Sequence, residues 1–173
     1  MLVNEDGYKC LKSLGGSDSE GYRDDLLLKR HENTCVWFLS DERYRQWARQ
    51  SHHSVLWVSG GPGCGKSVLS SVISKQFSDN THKIFGREYL VAVFFCDDKD
   101  ERLRTSHAIL VNVLSQILKQ EPDAFAHFSV EFEYAIHKEK TSWSFSMLWR
   151  VFCRVVKDSK IRPVCLIVDA LGM

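Results

Sequence analysis

The eight residues Gly60 to Ser67, Gly-Gly-Pro-Gly-Cys-Gly-Lys-Ser, fit the pattern G-x-x-x-x-G-K-[ST] without a mismatch, and what lies on either side must accommodate them. Glycine at 60, 61, 63 and 65 opens backbone conformations closed to residues with a side chain. Successive N–H groups can then converge on an anion at the head of a helix. The flanks have the required form. Val55, Leu56, Trp57 and Val58 read as a buried strand over 54–59, and Ser67 to Phe77 as a helix with Val68, Val72 and Phe77 near one face. A glycine-rich turn that binds nothing would need none of this context. Gly60, Gly61, Pro62, Gly63, Cys64, Gly65, Lys66 and Ser67 are therefore expected to cradle phosphates. Lys66 would reach the β- and γ-phosphates, and the Ser67 hydroxyl would coordinate Mg²⁺.

The far end of the chain supplies the expected partner. Pro163 to Asp169 is an apolar run ending in a carboxylate, the form of a Walker B strand, whose aspartate orients Mg²⁺ opposite a phosphate loop. Asp169 joins Ser67 as a candidate metal ligand. Between the two, Tyr89 to Cys96 is a continuous apolar run flanked by charge, as a strand buried on both faces should be. Three stripes at helical spacing read as core faces: Leu110, Val113, Leu114 and Ile117; Phe125, Phe128, Phe132 and Ile136; Phe145, Leu148, Phe152 and Val155. The acids Asp97, Asp98, Asp100 and Glu101 precede a helix, where its dipole favours them, and a solvated loop accounts for them without a metal.

Residues 1–21 include Gly15-Gly-Ser-Asp-Ser-Glu-Gly21 and read as a flexible lead-in. Residues 22–52 turn helical, around Leu26, Leu27 and Leu28 and then, with Asn33 or Thr34 as cap, through Trp37, Phe38, Tyr44 and Trp47. These aromatics either cover one edge of the sheet or leave His31 to Thr34 lining a base pocket. Residues 53–173 form the core.

Composition excludes several classes. With 173 residues the chain has room for one domain that buries roughly 70% of its unfolded surface. A formal net charge of +1, with basic residues scattered among acids, argues against nucleic acid or a membrane surface as partner. The six cysteines show no C-x-x-C pair and no metal-ligand spacing, so they read as reduced thiols of a soluble, cytoplasmic chain. Cys64, beside Lys66 at a helix N-terminus, is either the most reactive of them or an inert small residue.

Taken together, these motifs resemble the fungal NACHT-type NTPases, the nephrocystin-like N-terminal module of the STAND signalling ATPases. The resemblance runs from Cys10 to Leu171. It is carried by Cys10 to Leu14, by Thr34-Cys-Val-Trp-Phe-Leu39 as a T-C-x-W-L-L helix, and by Leu56 to Leu69 as the L-W-I-x-G-x-P-G-S-G-K-S-T-L core. Phe94-Phe95-Cys96, Leu110 to Leu118 and Val168-Asp-Ala-Leu171 extend it. Cys64 and Val68 replace the family's Ser and Thr, both compatible with a loop that binds through backbone amides. The family implies a nucleotide-dependent switch with an effector domain before it and ligand-sensing repeats after it. It also implies an acidic pair where Gly172 and Met173 stand, as if the chain were truncated just after the Walker B aspartate. A later strand of the family's sheet lies between the two motif-bearing strands, so a gap is expected there.

The expected architecture is an α/β, three-layer P-loop NTPase fold with a mainly parallel sheet, incomplete at its C-terminus, behind a helical N-terminal lead. The expected function is Mg²⁺-dependent binding of a purine nucleoside triphosphate, ATP or else GTP, with hydrolysis weak or absent. A protein partner or self-association is also compatible. Two other readings remain: a non-enzymatic interaction module, and a small-molecule kinase, which would need an arginine-bearing lid where Arg102, Arg104, Arg150 and Arg154 instead fall in amphipathic helical patterns.

Overall fold

The computed structural model of the chain describes residues 5–50, 54–79, 88–97, 100–137, 143–158 and 160–169. Asp98, Lys99 and the block from Ala170 to Met173 lie outside the described residues, as does the side chain of Ile136. Two strands form as expected. β1, Leu90–Phe95, has all six residues buried, and β2 is Val164–Asp169. They pair parallel, with Leu90 opposite Val164 and Phe95 opposite Asp169. Among the described residues this is the whole sheet.

Alternation along the strands sends side chains to two separate cores. Leu90 and Ala92 pack with Cys10 and Leu14 of α1 (Glu5–Leu14), with Leu110, Leu114 and Ile117 of α6 (Ser106–Gln120), and with Leu148, Val151 and Val155 of α8 (Phe145–Lys157). Val91 and Cys165 pack with Leu69, Ile73 and Phe77 of α5 (Lys66–Ser78), and with Phe38 of α3 (Val36–Ser40) and Tyr44 and Ala48 of α4 (Glu42–Arg49). Helices thus lie against both faces of the strand pair, an α/β arrangement. Between these elements run α2 (Ser19–Leu28) and α7 (Ser129–His137). Among the described residues no helix is long and apolar enough to cross a membrane.

Local chemistry sets the helix starts. Asp18, Asp41, Thr105 and Ser144 each accept a hydrogen bond from a first-turn backbone N–H of α2, α4, α6 and α8. Each such cap stabilises its helix by about 1 kcal/mol. Phe38, Tyr44 and Trp47 cover α5 and the adjoining sheet face, and the Tyr44 hydroxyl donates to Gln76 Oε1 at 2.6 Å, while Trp37 is 69% exposed.

Three expectations are corrected. Residues 5–14, expected to be flexible, form α1, because Cys10 and Leu14 one turn apart reach the main core and Trp143 Nε1 donates to Ser13 Oγ at 3.0 Å. Residues 54–59 are not a buried strand: Val55 is 88% and Trp57 70% exposed, and only Leu56 packs inward. An apolar run becomes a strand when a neighbouring ladder accepts its backbone, and β1 and β2 pair with each other and leave this segment outside. On α8, Leu148 and Val155 are buried as expected and Phe152 packs partly against the core, but Met147 and Val151 complete the buried stripe in place of Phe145, which is exposed and stacked on Trp149.

The outer edge of β1 is closed by side chains. Gln116 Oε1 accepts from Val93 N at 3.0 Å while its Nε2 donates to Val93 O at 2.8 Å. One turn on, Gln120 makes the same pair with Val91 at 3.0 and 2.7 Å. Each glutamine amide stands in for a peptide unit of a neighbouring strand. Replacing Gln116 by Leu strands a buried N–H and C=O, so Gln116→Leu should destabilise the chain by about 2–3 kcal/mol, read as a lower urea midpoint. An unchanged midpoint would show that this edge finds another partner.

A buried carboxylate ties α7 to α8. Glu131, 6% exposed, receives Arg150 Nε at 3.2 Å and Arg154 Nη1 at 3.1 Å, and Arg154 Nη2 bonds its other oxygen. Burial alone raises the Glu131 carboxyl, but the hydrogen bonds from Arg154 and Arg150 outweigh it and hold the group below the ordinary carboxylate range. A depressed folded-state value means stability that is present above the unfolded value of about 4.3 and lost as pH falls through the folded one. The stability difference between wild type and Glu131→Gln should therefore be full at pH 6–7 and shrink below about pH 4 in acid titrations of the melting temperature.

Candidate functional site

Gly63 at φ +73° and Gly65 at φ +88° bend the loop through the left-handed region, and Gly65 caps α5. A side chain at either position would be strained. Lys66, the first residue of α5, folds back over the loop: its Nζ donates to Gly60 O and Gly61 O at 2.9 Å each and lies 3.9 Å from Cys64 Sγ. The ammonium is thus held at the mouth of the turn, where the N-terminal amides of a thirteen-residue helix also end. Pro62 lies between the glycines without a cis peptide bond.

At the other end of the site, Asp169 closes β2 and is 7% exposed. Its backbone oxygen accepts from Cys96 N at 3.2 Å, which anchors the strand end. Its carboxylate meets Ser70, whose Oγ donates to Oδ1 at 3.3 Å. Ser67 and Asp169 were expected to act together. Ser67 lies one turn earlier on α5, and the hydroxyl that meets the carboxylate is that of Ser70. Sequence reading passed over Ser70. The available signal was its spacing of three from Ser67, which puts the two hydroxyls on one helix face.

Among the described residues no Lys or Arg pairs with Asp169, whereas Glu131 has two arginines. A nearly buried carboxylate with a hydroxyl as its partner offers oxygen donors of the kind a hard cation such as Mg²⁺ takes. Among the described residues no group of three or more His, Cys, Asp or Glu could hold a metal by itself. The remaining ligands of any such ion would be waters or phosphate oxygens.

His31 to Thr34, the stretch expected to line a base pocket, forms the turn that leads into α3. Asn33 and Cys35 have positive φ, +62° and +66°, and the Thr34 hydroxyl donates to His31 O at 2.7 Å. Cys35 packs against the cluster that contains Leu69 of α5, and Leu56 before the loop packs there too.

The family described as Nephrocystin 3, N-terminal, matches residues 33–172, and the chain belongs to that family. It is 27% identical over 144 residues to the vegetative incompatibility protein HET-E-1 of Podospora anserina, covering 81% of this chain and 10% of that protein. The chain therefore spans about a tenth of the relative's length. The two matches support a NACHT-related N-terminal module. No solved structure matches the chain.

The thiols separate by environment. Burial pushes Cys10 and Cys165 up to about 12, and raises Cys96 with help from the nearby Asp169 charge. Cys64 is exposed. Under limiting maleimide at pH 7.5, peptide mapping should find Cys64 labelled first and Cys10 and Cys165 last. Labelling of Cys165 as fast as Cys64 would contradict the burial described.

Proposed function

We propose that the chain is a nucleotide-binding module of the NACHT/STAND signalling type, built on the P-loop NTPase fold, that binds Mg·ATP or, less favoured by the absence of an N-K-x-D motif, Mg·GTP. The observation that carries this is that a single helix, α5, bears Lys66 at its first position and, one turn in, the hydroxyl that meets the buried Asp169. Motifs from distant parts of the sequence converge on one helix end.

On this reading the loop amides of Gly60 to Ser67 receive the phosphates, and Lys66 exchanges its two carbonyl acceptors for phosphate oxygens. Ser67 and Asp169 would hold Mg²⁺, which when bound neutralises phosphate charge. The carbonyls that hold Lys66 in this structure keep its charge beside the loop, so binding requires a short swing and no refolding. His31 to Thr34 would border the base.

Turnover should be near background. The resemblance places a water-positioning acid where this chain has Gly172, which has no side chain, and a missing general base typically costs 10²–10⁴-fold. A second reading, an interaction module, is favoured by the exposed stack of Phe145 and Trp149 on α8.

Titration of the chain with Mg·ATP separates these readings. Lys66→Ala removes a charge-assisted contact of about 1.5–3 kcal/mol and should weaken binding at least tenfold. Equal titration curves for the two proteins would exclude the nucleotide reading. ATP hydrolysis by wild type that disappears in Lys66→Ala would show that another carboxylate acts as base.

A further inference from the structure

We infer that Ser70 is the positioning residue of the Asp169 carboxylate, and that the Mg²⁺-dependent part of nucleotide affinity passes through it. This rests on the nucleotide-binding reading above and assigns one residue's part in it. The strand fixes where Asp169 begins, through the ladder opposite Phe95 and the bond from Cys96 N at 3.2 Å. Neither fixes the carboxylate, which can still turn about its side-chain torsions.

The Ser70 hydroxyl supplies that restraint, at 3.3 Å from Oδ1 and across 99 residues of sequence. A serine inside a helix commonly bonds the carbonyl one turn back, as neighbouring Ser71 does to Ser67 O at 3.0 Å. Ser70 instead reaches out of its helix to β2. Being three residues from Ser67, it holds the carboxylate on the helix face that carries the Ser67 hydroxyl. No arginine or lysine competes for Asp169 among the described residues, so the carboxylate keeps its charge available to a cation while its direction is set by a neutral donor. A cationic partner, such as Glu131 has, would satisfy the carboxylate and remove that availability.

The test measures ATP affinity of the full chain with excess Mg²⁺ and with EDTA, for wild type, Ser70→Ala and Ser70→Thr. Wild type should bind more tightly with Mg²⁺. In Ser70→Ala the Mg²⁺ concentration for half-maximal gain should rise about five- to tenfold, with metal-free affinity shifted less than about twofold, and Ser70→Thr, which keeps the hydroxyl, should restore wild-type behaviour. The same Mg²⁺ dependence in Ser70→Ala and wild type would overturn the inference while leaving nucleotide binding intact. Loss of binding by Ser70→Ala in EDTA as well would also overturn it, since Ser70 would then support the loop itself. Absence of ATP binding by wild type in both media would instead remove the nucleotide-binding reading, and this inference with it.

Discussion

The structure depends on satisfying the backbone of β1. All six of its side chains are buried, so every N–H and C=O along it must find a partner inside the protein or leave a buried polar group unpaired, at about 1–3 kcal/mol each. β2 takes one edge through a parallel ladder, and Gln116 and Gln120 take the Val93 and Val91 positions of the other. That second solution ties α6 to β1 by directional bonds as well as by packing. Once α6 is placed, the helices that pack on it, α1 and α8, have their positions, and the larger core closes around Leu114, Ile117 and Leu148.

The same ladder delivers the site. Register puts Asp169 opposite Phe95 at the end of the pair, while Val91 and Cys165, on the sheet face toward α5, seat that helix through Leu69, Ile73 and Phe77. Lys66 and Ser70 therefore come to one end of the sheet because apolar residues deeper in α5 are anchored there. Two buried carboxylates differ in their partners. Glu131 is enclosed by two arginines and joins helices; Asp169 has the Ser70 hydroxyl of α5. The second arrangement leaves a negative charge for a cation to complete.

Much of this was legible. The runs at 89–96 and 164–169 carry apolar side chains on both faces, and both strands form within a residue of those limits, β1 wholly buried but β2, read as a buried strand, with Leu166 exposed. The loop's glycines announce positive φ, found at Gly63 and Gly65. Other features were hidden for physical reasons. α1 has two buried apolar residues in ten, Cys10 and Leu14, too few for a periodic signal. Gln116 and Gln120 look like solvated positions, because nothing in a sequence distinguishes an amide facing water from one facing a strand edge. The run 54–59 has strand composition, yet composition cannot supply a ladder partner.

By itself, then, the sequence determined the two strands, the longer helices and the glycine turn, and which residues are of a type that can meet an anion or a cation. Those follow from side-chain polarity, local sterics and spacing, all of which act within a few residues. Only the tertiary structure decided that β1 pairs with β2 and excludes 54–59, that glutamine amides close the free edge, and that Ser70 is the serine that meets Asp169. These depend on contacts between residues far apart in the chain, as the 99 residues between Ser70 and Asp169 illustrate, and such contacts are settled by how the cores on the two sheet faces pack.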